Sequence, residues 1–349
     1  MSDAPPLELT CPLPFAGYER VVMAHGAGGR VMHRLIADLF LRAFDNPALR
    51  AGHDGAVIDV TGPVALTTDG FVVSPRFFPG GDIGSLSVYG TVNDLAVCGA
   101  RPVALTAGFI LEEGLPLEEL ARIVASMAAA ARRAGVVIAT GDTKVVERGQ
   151  ADGLFITTAG LGEVVAPSPV RPSAIRPGDV ILCSGPVGDH GVAVMAAREG
   201  LTFAEPVLSD AGPVHEPILA LFAAGIGVTC LRDPTRGGVA AALGEVAEAS
   251  GLGMRLAAGD IPVRPAVADA CELLGLDPLH VACEGRFLAW VEAARAEEAV
   301  AVLRAHGAPE ARRVGEVTTR DPGVVVLVTE LGGERVLDVP AGAPLPRIC

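Results

Sequence analysis

The stretch "VAPSPVRPSAIRPGD", residues 165–179, divides this chain more firmly than any other. Each of its four prolines lacks a backbone N–H and fixes φ, so neither a helix nor an inner strand runs through it. It also has no apolar periodicity, so it reads as a linker, and 349 residues suffice for a domain with its own core on each side. Both flanks alternate strand-like and helix-like patterns. Before the linker, "VVMAHGAGGRVMHRLIADLF" reads as a glycine-rich turn feeding a helix from about Gly29 to Phe44, and "VALTTDGFVVSP" (64–75) alternates like a strand. Residues 80–102 read as a helix stopped by Gly99 and Pro102. Residues 116–135 start on Pro and end on Gly, the expected helix punctuation. After the linker, "VILCSGPVGDHGVAVMAAREG" gives strand, glycine-rich turn and helix, and 323–339 closes as a hairpin through Gly332 and Gly333. The expected fold class is therefore two-domain α/β (α+β). It comprises an N-terminal extension 1–20, domains at 21–165 and 166–339, and a mobile tail 340–349.

Charge and apolar run length exclude several classes. A net charge of -14 repels phosphate backbones, which argues against nucleic acid as a partner. Apolar stretches are broken by charge well short of eighteen residues, as at Arg132 and Arg133, so no membrane span is expected. The acidic, proline-rich start shows no signal-peptide pattern, and a cytoplasmic chain is expected. Seven cysteines, an odd number without a Cys-x-x-Cys pair, argue against a disulfide framework or a zinc knuckle. Cys98, Cys183 and Cys230 sit in apolar runs and are expected to be buried. Cys349 ends the chain on "PLPRIC", where it is expected to be exposed. A ten-residue polyproline-like tail spans about 30 Å, enough to carry a thiol into a cleft.

A further asymmetry singles out one residue. The chain has 26 arginines and a single lysine, Lys144. A composition that prefers Arg wherever either serves keeps Lys where a compact ammonium is needed. Lys144 lies in "ATGDTKVVERG", beside Asp142.

Four stretches set carboxylates in glycine-rich or turn contexts: "TTDG" (Asp69), "TVNDLA" (Asn93, Asp94), "GDTK" (Asp142, Lys144) and "LRDPTRGG" (Asp233). Such oxygens suit a hard cation such as Mg2+, which binds a few carboxylates plus nucleotide phosphates. The glycines let backbone N–H groups approach those phosphates. Taken singly, each Asp is as readily a turn residue; the set read with Lys144 is stronger. No Walker A motif or kinase glycine loop is present. "HGAGG" could be an anion-binding turn, though spacing alone favours a glycine-rich loop with a bystander His25. "GPVGDHG", with Asp189 and His190, reads the same way. Glu284 in "ACEGRF" is a candidate base or a solvated strand-start acid.

Taken in order, "HGAGG", "TTDGFVVSPRFFPGGDIG", "GTVNDLAVCGARP", "FILEEGLP", "TGDTKVVERG", "SGPVGDHG", "RDPTRGG", "CEGR" and terminal "PRIC" closely resemble the HypE family of nickel–iron hydrogenase maturation proteins. The resemblance runs from about Val21 to Cys349. It implies an aminoimidazole ribonucleotide synthetase-like fold whose N-terminal domains pair into a dimeric β-barrel. It implies ATP- and Mg2+-dependent dehydration of an S-carboxamide on Cys349 to a thiocyanate, which supplies cyanide to the hydrogenase iron. The carbamoyltransferase HypF would load the cysteine, and a HypC–HypD iron complex would receive the cyano group. By the same resemblance Cys349, Lys144 and Glu284 are catalytic. Asp69, Asn93, Asp94, Asp142, Lys144, Gly28 and Gly29 bind the cofactor, and Asp69, Asp94, Asp142 and Asp233 bind the metal. Lys144 could serve as a base or neutralise charge on the transferring phosphoryl group.

Two other readings compete. A selenophosphate synthetase-like small-molecule kinase keeps the fold, but its reactive residue sits near the N-terminus in a glycine-rich loop. Cys11, in "LTCPLP", has no such loop. A non-catalytic assembly scaffold would keep the terminal cysteine and would not need the acids or Lys144.

Overall fold

The computed structural model describes residues 17–52, 55–203, 205–339 and 345–349; Cys11 and most of the N-terminal extension lie outside them. After the glycine turn comes one helical run, made of α1 (Arg30–Leu35), a π-helical turn (Ile36–Phe40) and α2 (Leu41–Phe44). The expected helix is thus present, with a wider turn at its middle. A short α3 (Pro47–Arg50) follows, capped by Asn46, whose side chain accepts from the Leu49 N–H.

β1 (Val64–Phe71) leads into a small antiparallel hairpin, β2 (Phe77–Phe78) and β3 (Gly81–Asp82). Asp82 then caps α4 (Ile83–Val97), its carboxylate accepting from the N–H groups of Gly84 and Ser85. β4 (Ala100–Glu112), α5 (Leu117–Arg133), β5 (Val137–Val146) and β6 (Leu154–Val164) complete the first unit. Its sheet runs β1-β6-β4-β5, antiparallel except for the β4–β5 pair, which α5 joins as a crossover. The sheet is open, with no closed barrel among the described residues of the single chain.

One face of that sheet carries α4 and α5, packed so closely that a Cβ on Gly84 would lie 2.3 Å from the Ile123 carbonyl oxygen. Helix α4 is buried at 13 of its 15 residues, as a helix apolar all round must be. Its C-terminal Ala96 and Val97 enter the core of the second unit. No described residue covers the other sheet face. Leu66 is 74% exposed there, accompanied by Val64, Ile110 and Val137.

The second unit comprises β7 (Val180–Cys183), α6 (Asp189–Glu199), α7 (His215–Ala223), β8 (Val228–Arg232) and α8 (Gly238–Ser250). Then come β9 (Gly253–Ala257), α9 (Pro265–Leu274), β10 (Leu288–Val291), α10 (Ala296–Ala305), β11 (Arg312–Thr318), β12 (Val325–Val328) and β13 (Glu334–Val336). They build a seven-stranded sheet in the order β13-β12-β9-β11-β7-β10-β8, parallel only at β12–β9. β7 and β10 are buried at every residue, with Trp290 wholly enclosed. Val192, Ala193 and Val267 of this unit share a core with Phe71, Leu86 and Ile123 of the first. The two units therefore press together, α7 against α4 and α6 against β2.

Two expectations need correcting. Cys183 and Cys230 are buried, but Cys98, at the C-terminal cap of α4, faces outward. The chain end is not a free tail either. Leu345 and Ile348 are buried in the shared core, and Cys349 is half-buried. No helix among the described residues is long and apolar enough to cross a membrane.

Candidate active site

Strand β1 and helix α4 bring the first two carboxylates together. Strand alternation turns Thr67 and Asp69 toward α4. Thr67 Oγ1 donates to Asp94 Oδ2 at 2.7 Å, and Thr91 Oγ1 donates to Asp69 Oδ2 at 3.2 Å, with Thr158 behind Thr91. Burial and the neighbouring Asp94 push Asp69 up to about 6, and burial also raises Asp94. Asp233, in the turn after β8, is pushed up to about 7 by burial and by Asp94. Three carboxyl groups from three segments thus crowd together, and Asp94 hinders the ionisation of both Asp69 and Asp233.

Glu284 joins them from the loop before β10. It is 3% exposed, and Oε1 has no hydrogen-bond partner among the described residues. Burial, with Asp233, Asp210, Asp69 and Asp94 nearby, raises it well above the usual carboxylate range. Its backbone is held from two sides. Asp210 Oδ1 accepts from the Glu284 N–H at 3.3 Å, and Asp210 Oδ2 accepts from the Gly285 N–H at 3.2 Å. Asn93 Nδ2 donates to the carbonyls of Gly212 and Glu284, while its Oδ1 accepts from the Val214 N–H. Gly285 must be glycine, because a Cβ there would lie 1.9 Å from the Asp210 carbonyl oxygen.

The terminal cysteine completes the cluster. The Val72 N–H donates to a terminal carboxylate oxygen of Cys349 at 3.1 Å, and the Ser74 N–H donates to the Arg347 carbonyl at 3.2 Å. Arg198 Nη2 donates to that same carbonyl at 2.8 Å, and His190 Nε2 bonds the Ile348 carbonyl at 2.8 Å. Arg347 reaches back to the Val72 carbonyl and to Asp152. Burial, then Glu284, push the Cys349 thiol up to about 12, against the opposing pull of Arg236.

Not every expected residue is here. Asn93, expected at the cofactor, is buried with both ends of its amide engaged by backbone, so it braces the Glu284 loop instead. Asp142 and Lys144 form a 2.5 Å ion pair on β5, each side chain 62% exposed. Asp142 lies in register with Gly108, Thr157 and Gly70, one row from Asp69 and three strands away, or about 14 Å. Alternation puts Asp142 and Lys144 on the uncovered face, opposite Asp69. The expected metal set of Asp69, Asp94, Asp142 and Asp233 therefore does not close around one point. Among the described residues no three His, Cys, Asp or Glu side chains could by themselves hold an ion. Asp69, Asp94 and Asp233, crowded and short of positive charge, fit a cation that keeps other oxygen ligands. Gly28 and Gly29 lead into α1, Gly28 with φ +76°. His25 beside them is buried, accepts from the Val22 N–H through Nδ1 and packs edge-on to Tyr18.

Two contributors escaped the sequence reading, and a third was named there without a role. Arg236 is exposed and acts on Asp69, Asp94 and Cys349. Asp210 carried no motif, and His190 was legible only as part of "GPVGDHG". A basic residue in the turn that carries Asp233 was the one signal available for Arg236.

Comparison with known proteins shows the family of the chain. A model described as AIR synthase related protein, N-terminal domain, matches residues 52–164, and the corresponding C-terminal domain model matches 176–328. Carbamoyl dehydratase HypE of Rhizobium leguminosarum bv. viciae is 52% identical over 334 residues, covering 95% of each chain. A crystal structure of hydrogenase maturation protein HypE in complex with ATP superposes with a TM-score of 0.92 at 48% identity, covering 94% of this chain and 99% of that one. A chain of a HypE–HypF complex superposes at 0.78 with 46% identity, covering 88% and 99%.

Proposed function

The chain belongs to the HypE family of carbamoyl dehydratases, in the AIR synthase-like superfamily, and from that membership we propose which residues do the chemistry. Its reaction is an ATP-dependent dehydration in hydrogenase maturation. The observation that carries the residue assignment is the seat of Cys349, which holds the chain's last thiol beside Glu284 and the Asp69–Asp94–Asp233 cluster.

On this reading HypF loads a carbamoyl group onto Cys349, giving an S-carboxamide. The amide oxygen then takes the γ-phosphoryl group of ATP, ADP leaves, and the nitrogen gives up one proton. The C–O bond next breaks, phosphate departs with its electron pair, and the second N–H proton leaves. A thiocyanate remains on Cys349, and its cyano group passes to the iron on a HypC–HypD complex, whose reduced iron centre supplies the electron pair of the new Fe–C bond while the S–C pair stays with the Cys349 thiolate. ATP is needed because it turns an amide oxygen, a poor leaving group, into phosphate.

Glu284 takes the first nitrogen proton, and the departing phosphate takes the second. Buried among acids, its carboxylate is a stronger base than an exposed one. Asp69, Asp94 and Asp233 would hold Mg2+ together with the nucleotide phosphates, and Mg2+ supplies charge neutralisation on those phosphates. Gly28 and Gly29 offer backbone N–H groups to the nucleotide ahead of α1. Arg236 faces the same cluster and is the cation that meets charge on the transferred phosphoryl group.

Asp142 and Lys144 reach a site only by way of the uncovered sheet face. A second copy covering that face forms the homodimer and completes the β-barrel from two open sheets. Lys144 then serves as base or charge neutraliser across the interface. The proline-rich stretch 165–179 divides the two domains, 21–165 and 166–339. The reaction belongs in the cytoplasm, where thiols stay reduced.

Carbamoyl-loaded Glu284→Gln is the direct test of the base. Dehydration in a single turnover should fall at least about a hundredfold, while loading by HypF stays at the wild-type level. Undiminished dehydration would remove Glu284 from the role.

A further inference from the structure

Two chain segments hang from one dipeptide, Ser209–Asp210. His190 is wholly buried, and its Nε2 meets the Ile348 carbonyl at 2.8 Å, across 158 positions of sequence. That carbonyl only accepts, so Nε2 carries the proton. The partner of Nδ1 is Ser209 Oγ at 2.8 Å. Ser209 Oγ already accepts from the Ala211 N–H at 3.0 Å, which leaves its own hydrogen to donate to Nδ1. The tautomer is therefore fixed by the next residue pair, and the ring can only point its N–H at the tail. Asp210 adds the second connection. Its carboxylate accepts from the His190 N–H at 3.1 Å and from the N–H groups of Glu284 and Gly285.

Resting on the dehydratase reading, we propose that His190 is a positioning residue for the reaction: it fixes the Ile348 carbonyl, and Ser209–Asp210 ties that fixed point to the Glu284 loop. The carbonyl of Ile348 belongs to the peptide bond that enters Cys349. Holding it, together with the carboxylate on Val72, fixes the main chain from which the cysteine side chain projects, near Glu284. Recognition is of main-chain groups and chain end, so a thiol and an uncharged S-carboxamide are seated alike. A histidine that merely filled the core would have no bond to the tail to lose.

The test compares wild type, His190→Ala and His190→Gln by iodoacetamide labelling of Cys349, read on the C-terminal peptide by mass spectrometry. Loss of one buried hydrogen bond predicts labelling about tenfold faster in His190→Ala. Dehydration of the carbamoyl-loaded protein should slow by a similar factor, with loading by HypF undiminished. Gln, which returns an N–H at similar reach, should recover most of both. Unchanged labelling in His190→Ala would overturn the proposal. So would loading that falls as far as dehydration, or a Gln variant as impaired as Ala. If His190→Ala does not fold, Ser209→Ala carries the test: faster labelling supports the proposal and unchanged labelling overturns it. Labelling needs neither HypF nor ATP, so a wild type that is protected but never dehydrates would sink the dehydratase reading and leave the seat standing.

Discussion

Asp233 and Asp69 hold protons in the folded chain that they would have released when unfolded. With values near 7 and 6 against an ordinary 3.8, the folded state binds more protons across that interval. Stability therefore falls as pH rises from about 4 to about 7, by an amount on the order of a few kcal/mol for the cluster. Asp233→Asn isolates the effect from the rest of an acidic protein. Below about pH 4, where that side chain is neutral both folded and unfolded, the variant and the wild type should melt alike. By pH 8, without metal or nucleotide, the variant should be the more stable, and added MgATP should stabilise only the wild type strongly. A Tm difference that does not grow with pH would mean the three acids are not crowded as described. Single residues were only partly legible beforehand. The Asp motifs and Glu284 stood out by their glycine and turn contexts. Asp210, His190 and the true role of Asn93 did not, because each acts on backbone groups of segments distant in sequence.

At the scale of elements, the sheet β1-β6-β4-β5 has two faces with different fates. Its α4 face gathers Asp69 and, through the helix, Asp94. Its other face carries Asp142 and Lys144 beside exposed Leu66 and Ile110. The i, i+2 spacing of Asp142 and Lys144 already put them on one side of a strand; which side a partner covers could not be read from spacing. An uncovered apolar face on an open sheet calls for a partner. Leu66→Arg should leave a monomer in sedimentation at concentrations where the wild type is dimeric. A wild type that stays monomeric at those concentrations would contradict the proposed homodimer. The helix punctuation at Pro116 and the linker prolines were readable because they act locally, through φ and a missing N–H. The π turn at Ile36–Phe40 left no such mark.

At the scale of the whole molecule, two units share a core, α7 against α4 and α6 against β2, and the last residues of the chain close over that junction. Polyproline spacing and the terminal cysteine suggested a reach into a cleft. They did not reveal that Leu345 and Ile348 are apolar anchors, since two apolar residues among prolines show no period. The seat bears on the proposed loading step as well. Burial and Glu284 keep the seated thiol un-ionised and a weak nucleophile, so on that proposal the carbamoyl group is taken up with the tail released. The central claim, that Cys349 carries the reacting group, has one direct measurement. Intact-protein mass spectrometry would follow the chain after incubation with HypF, carbamoyl phosphate and MgATP, beside a Cys349→Ala control. The account predicts gain of one carbamoyl group followed by loss of one water, both absent from the control. An unchanged wild-type mass in the presence of active HypF, or the same gain and loss in the control, would contradict it.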